Sequence, residues 1–306
     1  MAFLEYLATE VAEDWTDGLI SRREALRRLA MLGLSASAGA AILAACASPA
    51  APASGPGSTP RAASSPASSQ SPASASAASG SGASITFAGP RGELQGYLAS
   101  AASEPAGAML VIHENRGLTD HIRSVADRLA VEGYTSLAVD LVSEEGGTAA
   151  LGDSANVTAA LSRAPAERLV ADMRAGLDEL ARRAPGAPLG VIGFCFGGAM
   201  VWTLLDATEP RLVAAVPFYG PAPDAPSFDG NEAAVLAVYA ELDDRVNASR
   251  DRATAALEAA GLPHEVKTYP GVDHAFFNDT GGRYDPTQAA AAYADVLAWL
   301  REAFGG

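Results

Sequence analysis

The stretch Leu189-Gly190-Val191-Ile192-Gly193-Phe194-Cys195-Phe196-Gly197-Gly198 decides the architecture. Its first half is a short apolar run, the pattern of a strand covered on both faces. Its second half opens a helical pattern over residues 197–206. Glycines stand two residues either side of Cys195, where a strand and a helix passing close together leave no room for side chains. This is the G-x-S-x-G turn with cysteine in place of serine. A helix N-terminus behind a thiol lowers its pKa and offers N–H groups to a developing oxyanion. The competing account is a buried structural cysteine beside a Gly-rich nucleotide loop. The chain has no G-x-G-x-x-G and no Walker lysine, which weakens it.

Working outward, residues 85–88 and 94–99 predict an antiparallel pair, and residues 108–113 a fully covered strand. Residues 121–132 carry Ile122, Val125, Ala126, Leu129 and Ala130, the spacing of a helix with one buried face. Gly133 stops it. A strand at 135–139 and a helix at 165–183 lead to the Cys195 turn. Beyond it, strands at 212–218, 233–239 and 264–269 are accompanied by helices at 249–260 and 287–304. Strands alternating with helices of this length imply an α/β fold, a mostly parallel central sheet with helices on both faces. Reactive groups in such sheets gather at the carboxyl ends of the strands.

Two further residues complete a catalytic set in the order nucleophile, acid, histidine, the order of an α/β-hydrolase. The strand at 233–239 runs into Ala240-Glu241-Leu242-Asp243-Asp244-Arg245-Val246. Asp243, three residues past Ala240, is the expected orienting acid, with Asp244 as the fallback. Of the four histidines, only His264 and His274 follow it. His264 begins a strand pattern and reads as half-exposed. His274 lies in Pro270-Gly271-Val272-Asp273-His274-Ala275-Phe276, a loop between that strand and the last helix, where the base belongs. His121 reads as a helix-surface residue and His113 as a strand-end residue packed beneath the site.

With these residues in place, the domain from Ser84 to the C-terminus resembles the dienelactone hydrolase (carboxymethylenebutenolidase) family. The resemblance rests on GFCFGG at 193–198, HENRGL at 113–118, the acid loop, and GVDHAF at 271–276. It implies an ester or lactone hydrolase with no metal and no organic cofactor. It also implies that Glu114 contacts the resting thiol and helps generate the thiolate, the alternative being a loop salt bridge with Arg116. The backbone N–H groups of Asn115 and Phe196 are then expected to form the oxyanion hole. The family's lactone-degrading members hold a substrate carboxylate with arginines. Here Asn278 stands at one such position and the other loop reads Leu141-Val142-Ser143-Glu144-Glu145, which favours uncharged substrates unless Arg116 substitutes. A surface binding lipoprotein without turnover is the second reading, and a cysteine peptidase, whose signatures are absent, a distant third.

The N-terminus reads differently. Ser21-Arg22-Arg23-Glu24-Ala25-Leu26-Arg27 resembles a twin-arginine export signal, followed by an apolar run over 29–45 that is shorter than the ~20 residues of a membrane span. Leu43-Ala44-Ala45-Cys46 resembles a lipobox, with Cys46 as the lipidated residue. Residues 1–46 are therefore expected to be a signal segment apart from the fold. The alternative is an amphipathic helix over 3–20 running into an anchor helix. Residues 47–83 are almost wholly Ala, Ser, Pro and Gly, the composition of a flexible linker. Residues 84–306 form the catalytic domain. The expected location is extracytoplasmic, with the membrane met only through the lipid anchor. A disulfide between Cys46 and Cys195 is disfavoured by their contexts. The net charge of −15 argues against a nucleic-acid partner, since phosphate binding needs a basic face.

Overall fold

The computed structural model describes residues 3–16, 18–46 and 82–305. The linker expected over 47–83 lies outside the described residues as far as position 81, and so does the side chain of Cys46.

Three N-terminal helices come first: α1 (Phe3–Thr16), α2 (Arg22–Met31) and α3 (Ala36–Cys46). Ser21 caps α2 by accepting from the Glu24 amide, a residue pattern that marks a helix start. The apolar run does not form one long rod, because the chain turns over residues 32–35 between α2 and α3. Among the described residues, no helix is long and apolar enough to cross a membrane.

The catalytic domain opens with β1 (Ala83–Gly89) and β2 (Gly92–Ala99), a hairpin pairing Ala83 with Leu98. Then follow β3 (Gly107–Ile112), α4 (Asp120–Val131) and β4 (Tyr134–Val139). A 3-10 turn (Ser143–Glu145) and helices α5 (Thr148–Leu151), α6 (Ser154–Arg163) and α7 (Ala166–Arg183) lead to β5 (Leu189–Phe194). The remainder is α8 (Phe196–Asp206), β6 (Leu212–Phe218), β7 (Ala234–Ala240), α9 (Asp244–Asn247), α10 (Arg250–Ala260), β8 (His264–Tyr269) and α11 (Pro286–Ala303).

The eight strands form one sheet in the order β1-β2-β4-β3-β5-β6-β7-β8. β2 joins β4 antiparallel, and every pairing from β4 to β8 is parallel. Every residue of β3, β4 and β5 is buried. Alternate side chains point to opposite faces, so both faces of the central sheet are covered. α6 and the short turns before it did not stand out in the sequence. Six of the ten α6 residues are buried, without a gap from Val157 to Leu161, so no clean helical stripe shows. α1 and α2 both pack on α6, and Arg27 Nη2 donates to Asp153 Oδ2 at 2.5 Å just ahead of it.

Candidate active site

The site is built on the elbow between β5 and α8. Cys195 has φ 56° and ψ −115°, a positive φ that an L-residue holds only where its surroundings force it. Glycines do the forcing. A Cβ on Gly193 would collide with the Gly197 carbonyl, one on Gly197 with the Ile112 carbonyl, and one on Gly198 with the Phe218 carbonyl. Backbone meets backbone at each point, so no rotamer change could relieve the clash. The Cys195 amide donates to Phe218 O at 3.0 Å, tying the turn to the end of β6.

His274 enters from the loop after β8, with Ala275 beside it at φ 62°. Its Nδ1 lies 2.6 Å from Asp243 Oδ2, at the end of β7. Asp243 Oδ1 in turn accepts from the Val246 amide at 3.1 Å. The acid is thus oriented by the first turn of α9, and it orients the imidazole. Asp244 is exposed, while Asp243 is buried. Burial alone would raise the Asp243 carboxyl, but the His274 charge and hydrogen bond outweigh it and hold the group below its usual value. Burial also opposes a charged imidazole, yet Glu10, Asp243 and Cys195 together carry the His274 pKa well above its ordinary value. Burial and the neighbouring Glu10 charge push the Cys195 thiol up.

Cys195, His274, Glu114, Asn115, Arg116 and Asn278 line one cavity of about 220 Å³. Phe196 is buried at the start of α8 and stacks on His113, with ring centroids 6.1 Å apart. Glu114 is buried, with Oε2 accepting from Asn278 Nδ2 at 2.5 Å. Its other oxygen has no hydrogen-bond partner among the described residues. Asn278 is fixed on its far side, its Oδ1 accepting from the Thr280 amide and hydroxyl at 3.0 and 2.6 Å. Asn278 therefore holds the glutamate.

Three expectations need correction or refinement. His121 is buried rather than on the helix surface, its Nδ1 2.7 Å from Asp279 Oδ1 and its ring edge-on to Phe194 and Phe277. Glu144 and Glu145 do not line the cavity. They pair instead with Arg91 at 2.8 Å and with Arg168 at 2.6 Å respectively. Arg116 does line it, and its nearest charge is Asp14 Oδ2 at 3.7 Å rather than Glu114.

Asp14 belongs to α1, and it is not alone. Tyr6, Glu10 and Asp14 all reach the centre, although the composition of residues 1–46 predicts a segment apart from the fold. The Tyr6 hydroxyl is 3.3 Å from Cys195 Sγ. Glu10 Oε1 is 3.2 Å from His274 Nε2. The one available signal was their spacing at i, i+4 and i+8, a single helix face. Glu10, Cys195 and His274 also present one oxygen, one sulfur and one nitrogen within 4.8 Å of one another, a donor set suited to a soft divalent metal.

A parallel sheet with a strained cysteine elbow, an acid after β7 and a histidine after β8 defines an α/β-hydrolase. Within that class the chain belongs to the dienelactone hydrolase family, whose sequence model matches residues 94–304. It is 30% identical over 215 residues to a protein of Escherichia coli provisionally named carboxymethylenebutenolidase, covering 66% of this chain and 79% of that one. A similarly named protein of Saccharolobus solfataricus is 28% identical over 244 residues, covering 68% and 94%. The crystal structure of a provisionally named dienelactone hydrolase from Klebsiella pneumoniae superposes with a TM-score of 0.63 at 28% identity, over 72% of this chain and 97% of that one. An α/β-hydrolase from a deep-sea metagenome library shares the fold, with a TM-score of 0.58 at 17% identity, over 74% and 99%. The protein is a carboxylic ester hydrolase of this family.

Proposed function

We propose that the protein hydrolyses carboxylic esters or lactones through a covalent thioester on Cys195. One observation carries this reading: Asp243 holds His274 by Nδ1 at 2.6 Å, and a ring nitrogen of His274 lies within 4.8 Å of the Cys195 sulfur. In the reaction the Cys195 proton passes to His274 Nε2 and sulfur attacks the carbonyl carbon. The new C–S bond pushes the carbonyl electrons onto oxygen, where the Asn115 and Phe196 amides receive them. Collapse breaks the C–O bond, and the departing alkoxide takes the proton from His274. Water then gives a proton to His274 and attacks the thioester. The C–S bond breaks, releasing the acid and restoring the thiol.

Glu114 assists that transfer as substrate arrives, its unpartnered oxygen available to receive the thiol proton and pass it on to His274. The test is mass spectrometry of the full chain quenched during turnover of an activated ester, looking for acyl on the Cys195 peptide. Turnover by Cys195→Ala equal to the parent's would overturn the assignment.

The same proposal extends to the N-terminus. Residues 1–46 act as a twin-arginine, lipoprotein-type signal, Cys46 carries the lipid, and residues 47–83 tether residues 84–306 outside the cytoplasm. Two or three acyl chains hold a protein to a bilayer where one is marginal. Cys46→Ser should leave the membrane fraction or remain unprocessed, and wild-type fractionation of that variant would refute the anchor.

A further inference from the structure

α1 meets the reaction centre at three places with one helix face. Tyr6 covers the sulfur at 3.3 Å, and Glu10 Oε1 lies 3.2 Å from the base nitrogen. Asp14 reaches two arginines of the cavity wall, Arg116 Nη2 at 3.7 Å and Arg283 Nη1 at 3.4 Å. Arg245, two residues after the orienting acid, secures the same face from the side. Its Nη2 donates to Glu10 Oε2 at 2.7 Å, its Nε to Glu13 at 3.1 Å, and its guanidinium lies 4.5 Å from the Tyr6 ring centroid. Tyr6, Glu10 and Asp14 are all buried by this docking.

We propose that the reaction centre is a binding site for an acidic helical peptide, and that the chain's own α1 fills it, occludes the thiol and keeps the full-length enzyme latent. The proposal rests on Cys195 and His274 being the reacting pair. A substrate carbonyl must come within about 3.5 Å of the sulfur to react, and the Tyr6 hydroxyl holds that space. The base nitrogen faces a carboxylate that stabilises its proton, so it cannot accept another from the thiol. Asp14, which lines the same cavity, occupies the arginine pair of its wall.

These contacts are made by side chains of a segment linked covalently to the catalytic domain only through residues 47–81, so occupancy depends on the effective concentration that link provides. A cut ahead of Cys46, the position the sequence marks for processing, detaches α1, α2 and all but the last residue of α3. Processing and activation then become one event.

The test uses the full chain carrying Cys46→Ser, so that Cys195 is its one thiol. Tyr6→Ala, Glu10→Ala and Asp14→Ala are combined in it. Iodoacetamide modification of Cys195 and hydrolysis of a chromogenic acetate ester should each accelerate at least tenfold. In a second form, a site-specific protease sequence is placed within residues 47–81 and cut after folding. Activity should rise on cutting and fall again when a synthetic peptide of residues 3–31 is added. Unchanged modification rates in both forms would overturn the proposal. So would faster modification with slower hydrolysis, which would make α1 part of the catalytic apparatus. Faster modification with no hydrolysis in any form would uphold the occlusion and defeat the thioester mechanism instead.

Discussion

Two parts of the molecule touch the Cys195 sulfur, and they hold it in opposite ways. The elbow positions it through backbone: glycines at 193, 197 and 198 press carbonyls of neighbouring strands and helix, with no spare volume for a methyl group. α1 reaches it only through side chains, a hydroxyl and ion pairs. Close-packed backbone cannot yield without unfolding, whereas a docked helix can leave with the domain intact. The comparison separates what builds the site from what covers it.

The strongest way to break that comparison is at the atom both parts share. Cys195→Ala should lower ester hydrolysis at least about a thousandfold, and Cys195→Ser should keep a small residue of activity, because a site tuned for a thiolate activates a hydroxyl poorly. Steady-state kinetics on a form with α1 released decide it. Asp243→Asn should cost roughly 10²–10⁴-fold in kcat by leaving the imidazole in the wrong tautomer. Its KM should move little, and a KM effect alone would place Asp243 in binding rather than catalysis.

The elbow and the helix should then respond to mutation in different measurements. Gly197→Ala drives a Cβ into the Ile112 carbonyl and should destabilise the fold by about 2–3 kcal/mol, read as a lowered thermal midpoint. Arg245→Ala leaves the buried Glu10 carboxylate without its close cation, which favours undocking over unfolding. It should raise Cys195 alkylation about tenfold with the main thermal transition nearly unchanged. If Gly197→Ala frees the thiol without loss of stability, the contrast fails.

The smallest effect is the pH dependence of docking. Burial disfavours ionised Glu10, but His274 and Arg245 outweigh it and hold its pKa below the usual carboxylate value. Its contribution is therefore present above that usual value and lost only as pH falls through the depressed one. His274 runs the other way. Its raised pKa gives a contribution that is full below the ordinary imidazole value and lost as pH rises through the raised one. Asp243, Cys195 and Arg245 face the same pair and enter the same balance. α1 should hold near neutrality and loosen first on the alkaline side. Limited proteolysis of the first 31 residues, accelerating severalfold above neutral pH, would show it, and a flat profile would refute it.

Most of the catalytic domain was legible because its signals are local. The Gly-x-Cys-x-Gly spacing, the fully apolar strands, and the acid and the histidine each just past a strand end are all patterns of short segments. His121 misled because it is a polar residue in a helical pattern, while two phenylalanines distant in sequence, Phe194 and Phe277, enclose it. The loop acids Glu144 and Glu145 misled in the opposite direction, since arginines distant in sequence, Arg91 and Arg168, draw them from the cavity.

What the sequence alone determined is therefore the sheet, its elbow, and which side chains stand at the strand ends, because periodicity and glycine spacing are properties of short segments. Tertiary structure decided that Asn278 holds Glu114, and that Tyr6 lies on a sulfur 189 positions away. An α-helix with Tyr, Glu and Asp on one face is compatible with solvent, with a membrane surface or with a cleft. Only the shape and charge of the cavity it meets select among them, and those come from residues brought together by folding.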